Sequence, residues 1–277
     1  MKQNLKINTF LLCILTPSLV VGAGSTLVGC HQKNNNFQAD PWNVVAYQAS
    51  FGLEHLKEYY GLNTFVGLEK TMKINDLDHT VRVIGEGEDD IVDQNNMLTG
   101  KKAALTLQFS TIISQKGDDG NIEAITMPLE ESEKHVSRWK DCSLRNWLNN
   151  DQTENSFKKQ LETTIGKNNL KNVVKNSFYN LENPKFGVSD NPESVFLLSL
   201  GDIYSYNDDQ LPYEEDNDKY YKNEGNQIDG GQAIYSFFKN NIRKDFNYET
   251  PVRCLSLCDA SGQNYKYWLR TGYTTSS

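Results

Sequence analysis

Apolar residues recur along this chain with two different periods, and the changes between them divide it into elements. Asp40 followed by Pro41 marks a helix start: the aspartate offers an N-cap oxygen and the proline is already fixed at helical φ. Trp42, Val45, Leu53, Leu56 and Tyr60 then fall near helical spacing, with an interruption at Gly52 and a stop at Gly61. From Lys70 the period becomes two. Met72 and Ile74 alternate with Thr71 and Lys73, Asn75-Asp76-Leu77-Asp78 supplies turn chemistry, and 79–84 alternates again, which reads as a β-hairpin. Ala103, Leu105, Leu107 and Phe109 share one face of a further strand, and Asp118-Asp119-Gly120-Asn121 is a turn. Helical patterns follow over 143–148, around Phe157, Leu161 and Ile165, and over 170–178, before Asn183-Pro184. Val195 to Ser199 is a continuous apolar run, the pattern of a strand buried on both faces. A helix over 233–242 and a short strand over 265–270 complete the reading. Strands at both ends with helices between give an α+β fold, with mixed or antiparallel sheets and helices inserted between them. No internal repeat is present.

The first thirty residues carry a separate signal. Lys2 and Lys6 precede an uncharged apolar stretch, 7–21, and Gly22-Ala23-Gly24-Ser25-Thr26 leads into Leu27-Val28-Gly29-Cys30. This is the layout of an export signal: the lysines stay with the cytoplasmic leaflet and the small residues admit an extended backbone to a peptidase. Leu-Val-Gly-Cys resembles the lipobox of bacterial lipoproteins. The resemblance implies cleavage of Gly29-Cys30 and a diacylglycerol on the Cys30 thiol. The run 7–29 is long enough to span a bilayer, but Pro17 and the glycines oppose a stable helix. The expected layout is therefore a signal peptide over 1–29, lipidated Cys30 with a polar tether over 30–39, and one domain over 40–277. That domain comprises a helix and hairpin (40–110), a helical middle (139–180) and C-terminal strands and loops (190–277). The expected site is the extracellular face of the cell membrane, with the membrane itself as partner through the lipid.

Composition narrows the class. The chain has 277 residues, 38% hydrophobic and 23% charged, enough to bury a core. A net charge of −8 without a Lys/Arg cluster argues against nucleic acid as a partner, because phosphate contacts need a basic face. Cys142, Cys254 and Cys258 remain once Cys13 and Cys30 are assigned. They lack the second pair or the histidines that a zinc site needs, so they read as small buried residues, and no metal or cofactor is implied.

Three segments resemble a bacterial domain of unknown function found in surface lipoproteins, phage-related proteins and Gram-positive envelope proteins. Trp139-Lys-Asp-Cys-Ser143-Leu-Arg145-Asn-Trp-Leu148-Asn149 is similar to its W-x-x-S-x-x-R-x-x-L-N segment. Val195-Phe196-Leu197-Leu198-Ser199 with Asp202 is similar to F-L-L-S-x-x-E, and Tyr267-Trp268-Leu269-Arg270-Thr271 to W-W-L-R-S. Ser50-Phe-Gly52, Gly67 with Lys70, and 81–85 followed by Asp89-Asp90 agree with the helix, lead-in and hairpin of such domains, so the resemblance covers most of 40–271. It implies, remotely, a C-type-lectin-like fold related to the formylglycine-generating, sulfatase-modifying proteins. Relatives continue past W-L-R-S through further strands, so the resemblance implies a shortened paralogue, a frameshifted product or a version that closes its sheet differently.

For most of these residues the chemistry favours scaffold. Arg145 and Arg270 sit among apolar residues and must find acceptors, for which Asp202 and Asp141 are candidates. Trp139, Trp147 and Trp268 suit a core better than a sugar-stacking platform. The acidic loops 86–90 and 208–218 lack the D-x-[DN]-x-[DN]-G spacing of calcium sites and read as solvated. His31, His55, His79 and His135 are scattered, and no G-x-S-x-G elbow or H-E-x-x-H occurs, so the reading leans away from an enzyme. The expected function is a lipid-anchored ligand-binding, adhesion or antigen module for host or envelope carbohydrate or protein. The alternative is an exported enzyme acting on polysaccharide or peptide, or a degenerate paralogue.

Overall fold

The computed structural model describes residues 11–14, 35–111, 113–125, 143–150, 156–173, 193–198, 202, 235–241, 257–258 and 264–265. Two short helices open the domain, α1 (Trp42–Ala49) and α2 (Leu53–Tyr60). Pro41, extended at φ −65° and ψ 154°, is the N-cap of α1, and no side chain caps it. The expected Asp40 cap is absent because that carboxylate instead accepts the Tyr60 hydroxyl at 3.1 Å, tying the start of α1 to the end of α2. Gly52 breaks the two helices apart at φ +108°, and Gly61 ends α2 in the left-handed region, φ +65°.

The main sheet has five antiparallel strands in the order β2-β3-β6-β1-β9. β2 (Glu69–Ile74) and β3 (Leu77–Glu86) form the expected hairpin, closed by Asn75 and Asp76 with φ +50° and +63°, the two positive φ values of a type I′ turn. β6 (Leu105–Phe109) pairs with β3 across an irregularity between Val83 and Gly85. Three small hairpins stand apart: β4 (Asp90–Val92) with β5 (Leu98–Lys102), β7 (Ser114–Lys116) with β8 (Ile122–Ala124) around the expected turn, and β10 (Leu257–Cys258) with β11 (Asn264–Tyr265). Beyond Tyr265 the strand expected over 265–270 lies outside the described residues.

The apolar face of the sheet, with Met72, Ile74, Val81, Val83, Leu105, Leu107 and Phe109, packs against α1, α2, α3 (Ser143–Asn149) and α4 (Phe157–Ile165). Ser156 caps α4, accepting from the Lys159 amide, and Phe157, Leu161 and Ile165 form its buried stripe. The helix expected over 170–178 does not form at its start. Gly166 and Asn168 take positive φ, and Val173 instead bridges Ile91 and Glu193 as extended backbone. A second apolar cluster lies behind the sheet, where Ile84, Ala103, Phe196 and Leu198 meet Tyr235, Phe237 and Phe238 at the start of α5 (Ser236–Asn241). β9 (Val195–Phe196) is the strand buried on both faces that its sequence implies, with Val195 and Leu197 in the first cluster and Phe196 and Leu198 in the second.

Two findings concern the segments that precede residue 40. Phe37, inside the segment read as a tether, is an apolar anchor of the core. Its ring packs edge-on against Trp42, Tyr60 and Phe65. Lys70 closes over it, its ammonium donating to the Gln38 carbonyl at 2.8 Å and lying 5.6 Å from the Trp42 ring, and burial holds its pKa below the usual lysine value. Within the segment read as an export signal, Leu11–Ile14 forms strand β1 and pairs with β6 on one side and β9 on the other. An uncharged apolar segment that suits a bilayer also suits an apolar sheet, so the unprocessed chain has both options. Cys30 lies outside the described residues.

Candidate binding surface

The motif residues of α3 and β9 are buried or half-buried where they are described. Leu148 is fully buried in the first cluster and Ser143 opens α3 half-buried. Arg145 is buried, and its Nε donates to Glu193 Oε1 at 2.6 Å. Glu193 is thus a partner of Arg145 that the sequence did not suggest, reached because α3 lies against β9 and its lead-in, while Asp141 lies outside the described residues. Asn149 completes the clamp: its Oδ1 accepts the amides of Ser194 and Val195 at 3.0 Å each, and its Nδ2 donates to the Val195 carbonyl at 2.6 Å. Phe196, Leu197 and Leu198 fill the two cores. The described part of the resemblance thus joins one helix to one strand through Arg145 and Asn149. Trp147 stacks on Phe157 at 5.3 Å between centroids and is a core margin rather than a platform. Trp139, Ser199, Trp268, Leu269 and Arg270 lie outside the described residues, as does the acidic loop 208–218.

The acidic loop 86–90 is not the solvated loop its sequence suggests. Glu86 pairs with Lys57 at 3.1 Å and accepts the Phe65 amide, Asp90 pairs with Lys102 at 2.6 Å, and Asp89 is fully buried, its carboxylate accepting the hydroxyls of Tyr235 and Thr106. Glu88 accepts the Ser236 amide at 3.1 Å. The loop is thus the link between the sheet and α5, and Gly85 is needed beside it: a Cβ there would stand 2.6 Å from the Tyr235 ring. Burial raises the Glu88 pKa above the usual carboxylate range, the Ser236 hydrogen bonds oppose this, and the charge of Asp89 adds to it.

A stability test follows with a definite sign. Below the ordinary carboxylate pKa, folded and unfolded chains both hold Glu88 protonated; as pH rises, the unfolded chain releases the proton first and the folded state loses stability. Glu88→Gln keeps the acceptor and removes the titration. The variant is expected to match the wild type in melting temperature at about pH 4 and to exceed it increasingly toward about pH 7. A difference that is flat or shrinks with pH would refute the assignment.

Among the described residues no group of three or more His, Cys, Asp or Glu side chains is placed to hold a metal ion, and no helix is long and apolar enough to cross a membrane. What the surface does offer is a row of rings that the sequence reading passed over. Tyr47, Phe51, His55 and Tyr59 recur every fourth residue through α1, the Gly52 break and α2. Tyr47 meets Phe51 edge-on at 5.1 Å, Phe51 meets His55 at 5.0 Å, and His55 stacks toward Tyr59 at 6.3 Å. Tyr47 is 59% exposed and Phe51 52%, large apolar surfaces left open among the described residues. His55 Nε2 and Gln48 Oε1 lie 2.9 Å apart and hold the row's middle. The signal was present in the spacing, but the core positions Val45, Leu56 and Tyr60 drew the helical reading to the opposite face.

No curated protein and no solved structure matches this chain. One family does: the domain of unknown function DUF6273 matches residues 112–277. The segments around Arg145, Phe196 and Trp268 all fall within that span, while the aromatic row and the β2–β3 hairpin lie before it. With more than half of its length matched, the chain belongs to the DUF6273 family of domains of unknown function.

Proposed function

We propose that this protein is a lipid-anchored bacterial surface protein, held on the outer face of the cell membrane by a diacylated Cys30, and that it works by binding rather than by turnover. The observation that carries the binding reading is the exposed aromatic row. Two rings more than half exposed and braced by a third and a fourth form an apolar surface of fixed shape, the kind that marks a contact site. Arg145 and Asn149 of α3 are engaged in holding β9 and its lead-in, whereas the rings of α1 and α2 face outward. The anchor rests on the N-terminal pattern, from Lys2 and Lys6 through the apolar stretch to Leu27-Val28-Gly29-Cys30. Envelope or host material, carbohydrate included, is the class of partner.

One experiment in living cells tests both parts. A photoreactive phenylalanine analogue at position 51 of the full-length chain is expected to give adducts on illumination that the same analogue at exposed position 122 does not, and acyl labelling is expected in the wild type and absent from Cys30→Ser. Equal adducts at the two positions would refute the contact surface. Acyl labelling that survives Cys30→Ser would refute the anchor.

A further inference from the structure

We infer that the aromatic row rests on the membrane surface that holds the lipid, so that the partner of this face is the bilayer's own interfacial zone. This rests on the anchoring proposed above. The path of the chain carries the argument. Asn35, two residues before the buried Phe37, donates through Nδ2 to the Tyr59 carbonyl at 2.8 Å, at the end of the row. Four residues separate Asn35 from Cys30, and the five steps between them reach at most about 18 Å even when fully extended. Phe37, buried beneath Lys70, prevents the chain from peeling away from α2 to lengthen that reach. The acylated cysteine therefore holds this end of the row within a short distance of the headgroups, while the rest of the domain is free to stand above.

The chemistry of the row suits that position. Tyrosine, phenylalanine and histidine present apolar bodies, and Tyr47 and His55 add polar tips, the combination that partitions to the boundary between headgroups and acyl chains. It suits a sugar less well. Tyr47 and Phe51 are inclined at 87°, so they offer no common plane for a pyranose, and the nearby polar atoms of Gln48 and His55 face each other. Glu54 and Glu58 are exposed on the same helix, so the contact favours zwitterionic over anionic lipid. The contact needs little intrinsic affinity, because the anchor supplies the local concentration.

The test uses the lipidated full-length protein reconstituted in phosphatidylcholine vesicles containing a fraction of lipid with a nitroxide near the headgroup. Tryptophan is placed at position 51 (Phe51→Trp) or, as a control, at the exposed position 122 (Ile122→Trp), and the emission of the unsubstituted protein is subtracted from each. Quenching at 51 is expected to exceed that at 122 at least twofold, and to weaken when phosphatidylglycerol replaces half of the host lipid. Equal quenching at the two positions in protein that floats with the vesicles overturns the membrane contact and leaves the anchor standing. Wild-type protein that fails to float overturns the anchor and the contact with it. A carbohydrate whose binding is lost in Tyr47→Ser, together with equal quenching, gives the row to sugar instead.

Discussion

Replacing Arg145 with methionine is expected to lower the melting temperature by about 6–20 °C, whereas replacing Arg145 and Glu193 together with methionine is expected to recover most of that loss. The Arg145 Nε to Glu193 Oε1 distance is 2.6 Å, and the two side chains are 9% and 1% exposed. The single change leaves a carboxylate buried without its guanidinium, which typically costs about 3–5 kcal/mol. At about 2–4 °C per kcal/mol for a domain of this size, that gives the stated range. The double change removes both desolvation costs and leaves apolar volume beside Leu144 and Leu148, which already belong to the core. Thermal denaturation of the two variants and the wild type decides the matter. An Arg145→Met protein that melts like the wild type would mean that the guanidinium does not hold β9.

Local patterns were legible in the sequence, and long-range partners were not. The β2–β3 hairpin, the buried stripe of α4 and the two-sided burial of β9 were legible because each is a local pattern: alternation, helical spacing or an unbroken apolar run. The errors arose where distant residues decided the outcome. Asp40 has the side chain of an N-cap, but Tyr60, twenty residues on, takes its carboxylate. Glu86 to Asp90 reads as a solvated loop because its charges are local while its partners Lys57, Thr106, Tyr235 and Ser236 are not. The scaffold role of Arg145 was legible from its apolar neighbours, yet its partner was not, since Glu193 stands forty-eight residues away. The aromatic row was written in the sequence at a spacing of four; finding it required knowing which face of α1 and α2 the core had already used.

The remaining large effect concerns β1. Deleting residues 2–29 is expected to reduce the hydrogen-exchange protection of backbone amides in β6 and β9 by at least about 100-fold, about 2.7 kcal/mol of local opening energy, while the amides of the β2–β3 hairpin change far less. Leu11 to Ile14 stand opposite Gln108 to Leu105 and, at Leu11 and Leu12, opposite Phe196 and Val195, so their removal strips one edge of each neighbour. A backbone group left facing neither a partner nor water costs about 1–3 kcal/mol, and the flanking strands cannot simply close up, since a strand occupies about 4.8 Å of the sheet and β9 is held to α3 by Asn149 and Arg145. β2 and β3 pair on the far side of β6 and keep their own partner. The two fates of the same apolar residues are mutually exclusive: a segment inside a signal peptidase's membrane is not inside the sheet. If export removes it, the processed domain differs from the unprocessed chain in the centre of its main sheet, and exchange rates in β6 will report which form has been purified. Protection that is the same with and without residues 2–29 would mean that β1 contributes no stability to the sheet.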